Sequence, residues 1–176
     1  MRKLCLSFEV EAPNADETQL AGESPRDFVN RLAGLKAAAV ASRHPGAMVL
    51  AADTAVVLGQ EILGKPATAE RAREMLARLS GRTHAVLTGL VLVAANGGAS
   101  MTESKVSFRR LSPEEIDWYV STGEPMDKAG AYALQEVGGF LVEAIHGSHS
   151  NVIGLPLAET LVLLERAGYP LPWRKQ

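Results

Sequence analysis

Glu17, Lys36, Asp53 and Lys65 each fall where an apolar element ends or faces a loop. Two carboxylates and two ammonium groups are the set that metal-assisted phosphate chemistry requires. The acids can hold Mg²⁺, a hard cation that favours carboxylate and phosphate oxygens and keeps several waters. The lysines can neutralise charge gathering on a phosphate as its bond breaks, and an acid not committed to the metal can take the proton of an attacking water. Asp53 is the strongest candidate for that base, because the apolar run Met48 to Ala52 leads into it with no polar competitor, as in a strand buried on both faces that ends at Asp53-Thr54.

Competing chemistries fare worse. Gly64-Lys65-Pro66 resembles a phosphate-cradling loop but lacks the earlier glycine and the following Ser or Thr of a Walker pattern. His44, His84, His146 and His149 lack the helical spacing of a zinc site. Cys5 is the single cysteine, which excludes an internal disulfide and fits a reducing compartment. Ser24-Pro25-Arg26 looks like a phosphate grip out of context, but it opens a helix and reads as its cap.

The elements that must position these residues follow from periodicity and turn signals. Leu6, Phe8, Val10 and Ala12 alternate as in a strand, which then delivers Asp16-Glu17-Thr18 into a loop. Ser24, Pro25 and Asp27 start an amphipathic helix that ends near His44-Pro45-Gly46. Val56 to Leu58 and Glu61 to Leu63 form a hairpin or close turn through Gly59-Gln60. Thr68 caps a helix to about Leu79, strands His84 to Ala95 and Ser100 to Arg110 turn at Asn96-Gly97-Gly98, and Ser112-Pro113-Glu114-Glu115 starts another helix. Short strands at Ala131 to Gln135 and Phe140 to Ile145 precede a last helix from Pro156 to Ala167. The order predicts an α/β protein with a mixed twisted β-sheet flanked by helices.

The chain has 176 residues, the length of one ordinary domain, and shows no repeat or linker that would divide it. Its 47% apolar and 22% charged residues are the balance of a chain that folds. A net charge of -2 gives no basic footprint for a nucleic-acid polymer, although local lysines can still hold a small anion. No apolar stretch approaches the roughly 20 residues of a membrane span, and no signal pattern opens the chain, so a cytoplasmic location is expected.

From Asp16 onward the chain resembles the Maf family of nucleoside triphosphate pyrophosphatases. The resemblance is carried by Asp16-Glu17-Thr18, Arg31-Leu32-Ala33 with Lys36-Ala37, Ala51-Ala52-Asp53-Thr54 and Ile62-Leu63-Gly64-Lys65-Pro66. It continues through Leu79-Ser80-Gly81-Arg82-Thr83-His84, Thr88-Gly89, the segment from Thr122 to Gly130, and Asn151-Val152-Ile153-Gly154-Leu155-Pro156. It implies two lobes around a nucleotide cleft, with Asp53 as general base and catalytic lysines at Lys36 and Lys65. A divalent metal, Mg or Mn, would sit at Glu17 and Asp53. Thr54 and Gln135 match the members that take dTTP and UTP, and a side-chain amide can pair with a pyrimidine edge. The implied products are a nucleoside monophosphate and pyrophosphate, and the implied assembly is a homodimer.

One departure qualifies the resemblance. Family members open with a strand and a Ser-x-Ser-Pro-Arg-Arg loop entering a first helix, whereas this sequence begins at Met1-Arg2-Lys3-Leu4-Cys5, near that helix's end. The expectation is therefore a single Maf-like domain, residues 1–176, lacking its N-terminal strand, phosphate loop and most of its first helix. Arg2 is not taken to replace the missing arginines. The alternative to an active dTTP/UTP enzyme is a catalytically weak nucleotide-binding or division-regulating protein.

Overall fold

The computed structural model describes residues 5–174, so the expectation about Arg2 lies outside the described residues. Five strands form one sheet: β1 (Val49–Leu58), β2 (Glu61–Leu63), β3 (Thr83–Val93), β4 (Gly98–Phe108) and β5 (Val142–His146), in the order β2-β1-β3-β4-β5. Helices α1 (Pro25–Ala41), α2 (Ala69–Leu79), α3 (Pro113–Ser121), α4 (His149–Val152) and α5 (Leu157–Arg166) flank it. The α/β expectation of a sheet flanked by helices is met, but the sheet expected to be mixed is antiparallel in every ladder among the described residues. β1 turns back through Gly59 into β2, and α2 then carries the chain over β1 to reach β3.

Local signals fix the helix starts. The Ser24 side chain accepts from the Asp27 N–H with Pro25 in the first turn, and Thr68 accepts from the Arg71 N–H. Ser112 and Glu115 form a reciprocal capping box. Each arrangement satisfies amide donors that the helix itself leaves free.

The pleat sorts the core onto two faces. On one, Ala55 and Val57 of β1 and Leu87 of β3 pack against Val29 of α1. On the other, Val56, Leu58, Val86, Val106 and Phe108 meet Met75, Leu76 and Leu79 of α2 and Ile116 and Tyr119 of α3. Toward the far end of β3, Leu90 and Leu92 pack with Leu163 and Leu164 of α5 and with Leu6. Gly89 lets α1 lie close against β3: a Cβ there would lie 2.4 Å from the Val29 carbonyl oxygen.

Three expectations are corrected. Leu6 to Ala12 is not a strand, because no described strand pairs with it; Leu6 alone enters the core, while Val10 is 83% exposed. The strand expected to end at Asp53-Thr54 runs on to Leu58, so Asp53 lies inside β1. Ala131 to Gln135 is not a strand either: short 3-10 helices occupy Glu124–Asp127, Ala129–Ala131 and Val137–Leu141, and left-handed backbone at Gly130 and Ala131 prevents extension. No helix among the described residues is long and apolar enough to cross a membrane.

Candidate active site

Asp53 projects from the middle of β1 toward α1 and is only 8% exposed. Lys36, two turns along α1 from the Val29 contact, reaches it at 2.6 Å and lies 2.6 Å from Glu17 Oε1 as well. One ammonium thus joins the two acids. Burial pushes the Asp53 carboxyl above its ordinary value, against the pull of Lys36 and the more distant Lys65. Burial also works against the Lys36 ammonium, but its hydrogen bonds to Asp53 and Glu17 outweigh that and hold its pKa above the usual lysine value. Lys65 is exposed just after β2 and acts on Asp53 through its field rather than by direct contact.

Thr54, the next residue, faces the opposite side of the sheet. It lines a cavity of about 220 Å³ whose wall includes Val56, Lys128, Tyr132, Gln135 and Gly154. Two anchors hold that wall. The Glu124 carboxylate accepts from Tyr119 Oη at 2.7 Å and from the Val137 and Gly138 amides, fixing the loop that carries Gln135. The buried Asn151 side chain donates to the Val86 carbonyl and to Ser104 Oγ, seating α4 so that Gly154 lies beside Thr54.

The residues singled out from sequence therefore fall into two groups on one strand. Glu17, Lys36 and Asp53 are in contact on the α1 face, with Lys65 near them; Thr54 and Gln135 line the cavity on the other face. β2 pairs only with Val56 to Leu58, so among the described residues β1 from Val49 to Ala55 has no ladder partner on that side. Sequence reasoning assigned no role to Thr88, Asn151, His84 or Tyr132. A lone threonine within the apolar run Val86 to Leu92 was the available signal for the first of these.

Glu17 and Asp53 both contact the Lys36 ammonium, so two carboxylates of the kind that share a divalent ion with phosphate oxygens and water stand together on this face. Among the described residues no three His, Cys, Asp or Glu side chains gather as a metal cluster.

Comparison with known proteins identifies the family. The family model described as "Maf-like protein" matches residues 1–167. A Myxococcus xanthus protein named dTTP/UTP pyrophosphatase is 58% identical over 174 residues, covering 99% of this chain and 89% of its own length. Proteins of the same name from Anaeromyxobacter dehalogenans strain 2CP-C and Symbiobacterium thermophilum are 56% and 49% identical, covering 98% and 97% of this chain and 90% and 89% of their own. A match of this extent makes the chain a member of the Maf family.

Proposed function

We propose that this protein is a nucleoside triphosphate pyrophosphatase that hydrolyses dTTP and UTP to the monophosphate and pyrophosphate. The observation that carries the reading is the buried Asp53 carboxylate joined through Lys36 to Glu17. The name shared by its relatives supports the substrate. In this reading the phosphates lie on the Asp53 face of β1 and the base in the cavity of Thr54 and Gln135.

Asp53 takes the proton of the attacking water, whose oxygen bonds to the α-phosphorus as pyrophosphate leaves. A carboxylate raised by burial is a better base than an ordinary aspartate, which matches that task. Lys36 orients the carboxylate and, with Lys65, offsets phosphate charge. Glu17 and one oxygen of Asp53 would hold Mg²⁺ or Mn²⁺, which would supply neutralisation of the triphosphate and polarisation of its oxygens, while the other Asp53 oxygen takes the proton. The proposal extends to a cytoplasmic homodimer acting on nucleotides rather than nucleic-acid polymers or membranes, expectations that rest on the family resemblance and composition.

The test is product analysis with dTTP and Mg²⁺, on this chain and on one extended by the Ser-x-Ser-Pro-Arg-Arg loop that its sequence does not contain. Monophosphate plus pyrophosphate is expected, and Asp53→Asn lowers kcat by at least roughly 10²-fold while nucleotide binding persists. Release of inorganic phosphate instead, or binding without turnover by both proteins, refutes the enzyme reading. Turnover by Asp53→Asn at the wild-type rate removes Asp53 from the role of base.

A further inference from the structure

The Glu17 side chain is half exposed and lies in a stretch that is neither helix nor strand, so no ladder holds it at the site. Its one ion-pair partner among the described residues, Lys36, is shared with Asp53. Ordering so free a tether costs conformational entropy that other contacts must offset. Those contacts come from α1. The Arg31 guanidinium donates to both oxygens of the Glu23 carboxylate, from Nε at 2.5 Å and from Nη2 at 2.8 Å, and Nη2 also donates to the Thr18 carbonyl at 3.0 Å. Glu23 Oε2 in turn accepts from the Leu20 amide, and Asp16 Oδ1 accepts from the Thr18 amide and hydroxyl. The loop from Asp16 to Glu23 is thus closed on itself and stitched to the helix at Thr18 and Glu23. The Glu23 side chain is only 7% exposed, so water competes little for the fork.

We infer that Arg31 is a positioning residue for Glu17: through Glu23 and the Thr18 carbonyl it fixes the loop so that the Glu17 carboxylate meets Lys36 beside Asp53. The inference rests on the pyrophosphatase reading and deepens it. Arg31 and Lys36 stand five residues apart on one helix, about 7.5 Å along its axis, so a single rigid element sets both the loop and the ammonium that Glu17 reaches. Thr18 follows Glu17 directly, which leaves little slack between the pinned carbonyl and the carboxylate. Arginine suits the task because one planar group serves a carboxylate and a carbonyl together, which the point charge of a lysine does not. A second acid held in advance lets a divalent ion or a triphosphate bind without first ordering the loop.

Turnover of dTTP with Mg²⁺, and binding of Mn²⁺ alone followed by its EPR signal, are measured on wild type, Arg31→Met, Glu17→Gln and the double variant, each well below its own Tm. Arg31→Met is expected to lower kcat/KM and Mn²⁺ affinity by about tenfold each, the worth of one hydrogen bond. In the Glu17→Gln background the same change costs less than about twofold, because Arg31 acts through the acid already lost. Glu23→Gln, which breaks the brace from the other side, follows the same pattern, and Arg31→Lys restores neither value. Equal losses from Arg31→Met in both backgrounds overturn the inference, since a contribution to folding or a direct contact with substrate is indifferent to Glu17. Wild-type values in Arg31→Met overturn it too, and full recovery in Arg31→Lys does so by assigning the effect to charge alone. A wild type that turns over dTTP while the losses add sinks only the role of Arg31. A wild type that hydrolyses no nucleotide sinks the pyrophosphatase reading, and the Mn²⁺ affinities then decide Arg31, with absent Mn²⁺ binding counted against it.

Discussion

Gly89→Ala is expected to damage stability and activity together, because Gly89 stands opposite Asp53 in the β1–β3 ladder and beneath α1. A methyl group there meets the Val29 oxygen at 2.4 Å, its carbon at 2.7 Å and the Asn30 nitrogen at 3.0 Å. These are backbone atoms and cannot rotate away. Ordinary contact begins at 3.4 Å, so α1 and β3 must separate by about 1 Å. Lys36 rides on the same helix two turns further on, and a retreat of that size lengthens its 2.6 Å contact with Asp53 beyond hydrogen-bond range. Overpacking of this kind costs about 1–3 kcal/mol, which lowers Tm by about 2–12 °C in a protein of this size. Misplacement by about 1 Å at a catalytic group costs on the order of 10²-fold in rate. The control is Gly34→Ala in α1, where an added Cβ meets nothing within 4 Å. It is expected to stabilise by about 0.4–1 kcal/mol through reduced freedom of the unfolded chain. Thermal unfolding with dTTP turnover on both variants decides the matter. Wild-type Tm and turnover in Gly89→Ala, or equal damage from Gly34→Ala, refutes the close-approach account.

Two further outcomes depend on pH. In the metal-free protein the Asp53 carboxyl is expected to titrate above the pH of about 3.9 of an ordinary aspartate, because burial raises it. Lys36→Met moves that titration higher still, since the attraction favouring the charged form is gone; an NMR titration of the carboxyl with an unmoved midpoint contradicts the coupling. His84 is buried beside Tyr132, and burial lowers its pKa to about 4. Below about pH 6.5 the unfolded chain therefore binds a proton that the native one refuses, and stability falls until about pH 4 by about 3 kcal/mol from this residue. Denaturant unfolding across that window is expected to show a shallower decline in His84→Leu, and identical slopes exclude a neutral buried His84.

Much of the scaffold is legible from neighbouring residues, because caps and turns are local. Ser24-Pro25, Thr68 and Ser112 announce their helices, and Gly59 announces the β1–β2 hairpin. The meeting of Glu17, Lys36 and Asp53 was also anticipated, from residue types and the family resemblance. The split between faces was not. An unbroken apolar run conceals the alternation of a strand, so Met48 to Ala52 read as a segment that stops at Asp53 rather than one that continues to Leu58. The alternating residues from Leu6 to Ala12 misled in the opposite sense: alternation marks a strand only when another strand is present to pair with it. Thr88, Asn151 and His84 stand in motifs of the resemblance, but their roles are not legible there because their partners lie on distant elements.

The side-by-side placement of Asp53 and Thr54 on β1 has an evolutionary consequence. In the proposed reading, a point change at Thr54 or in the cavity wall would retune the choice of nucleotide without disturbing the ion pairs on the other face, so new preferences could arise while hydrolysis is retained. Insertion or deletion of a single residue upstream in β1 has no such freedom. It would turn the carboxylate into the base cavity and the hydroxyl toward Lys36, inverting the two chemistries in one step.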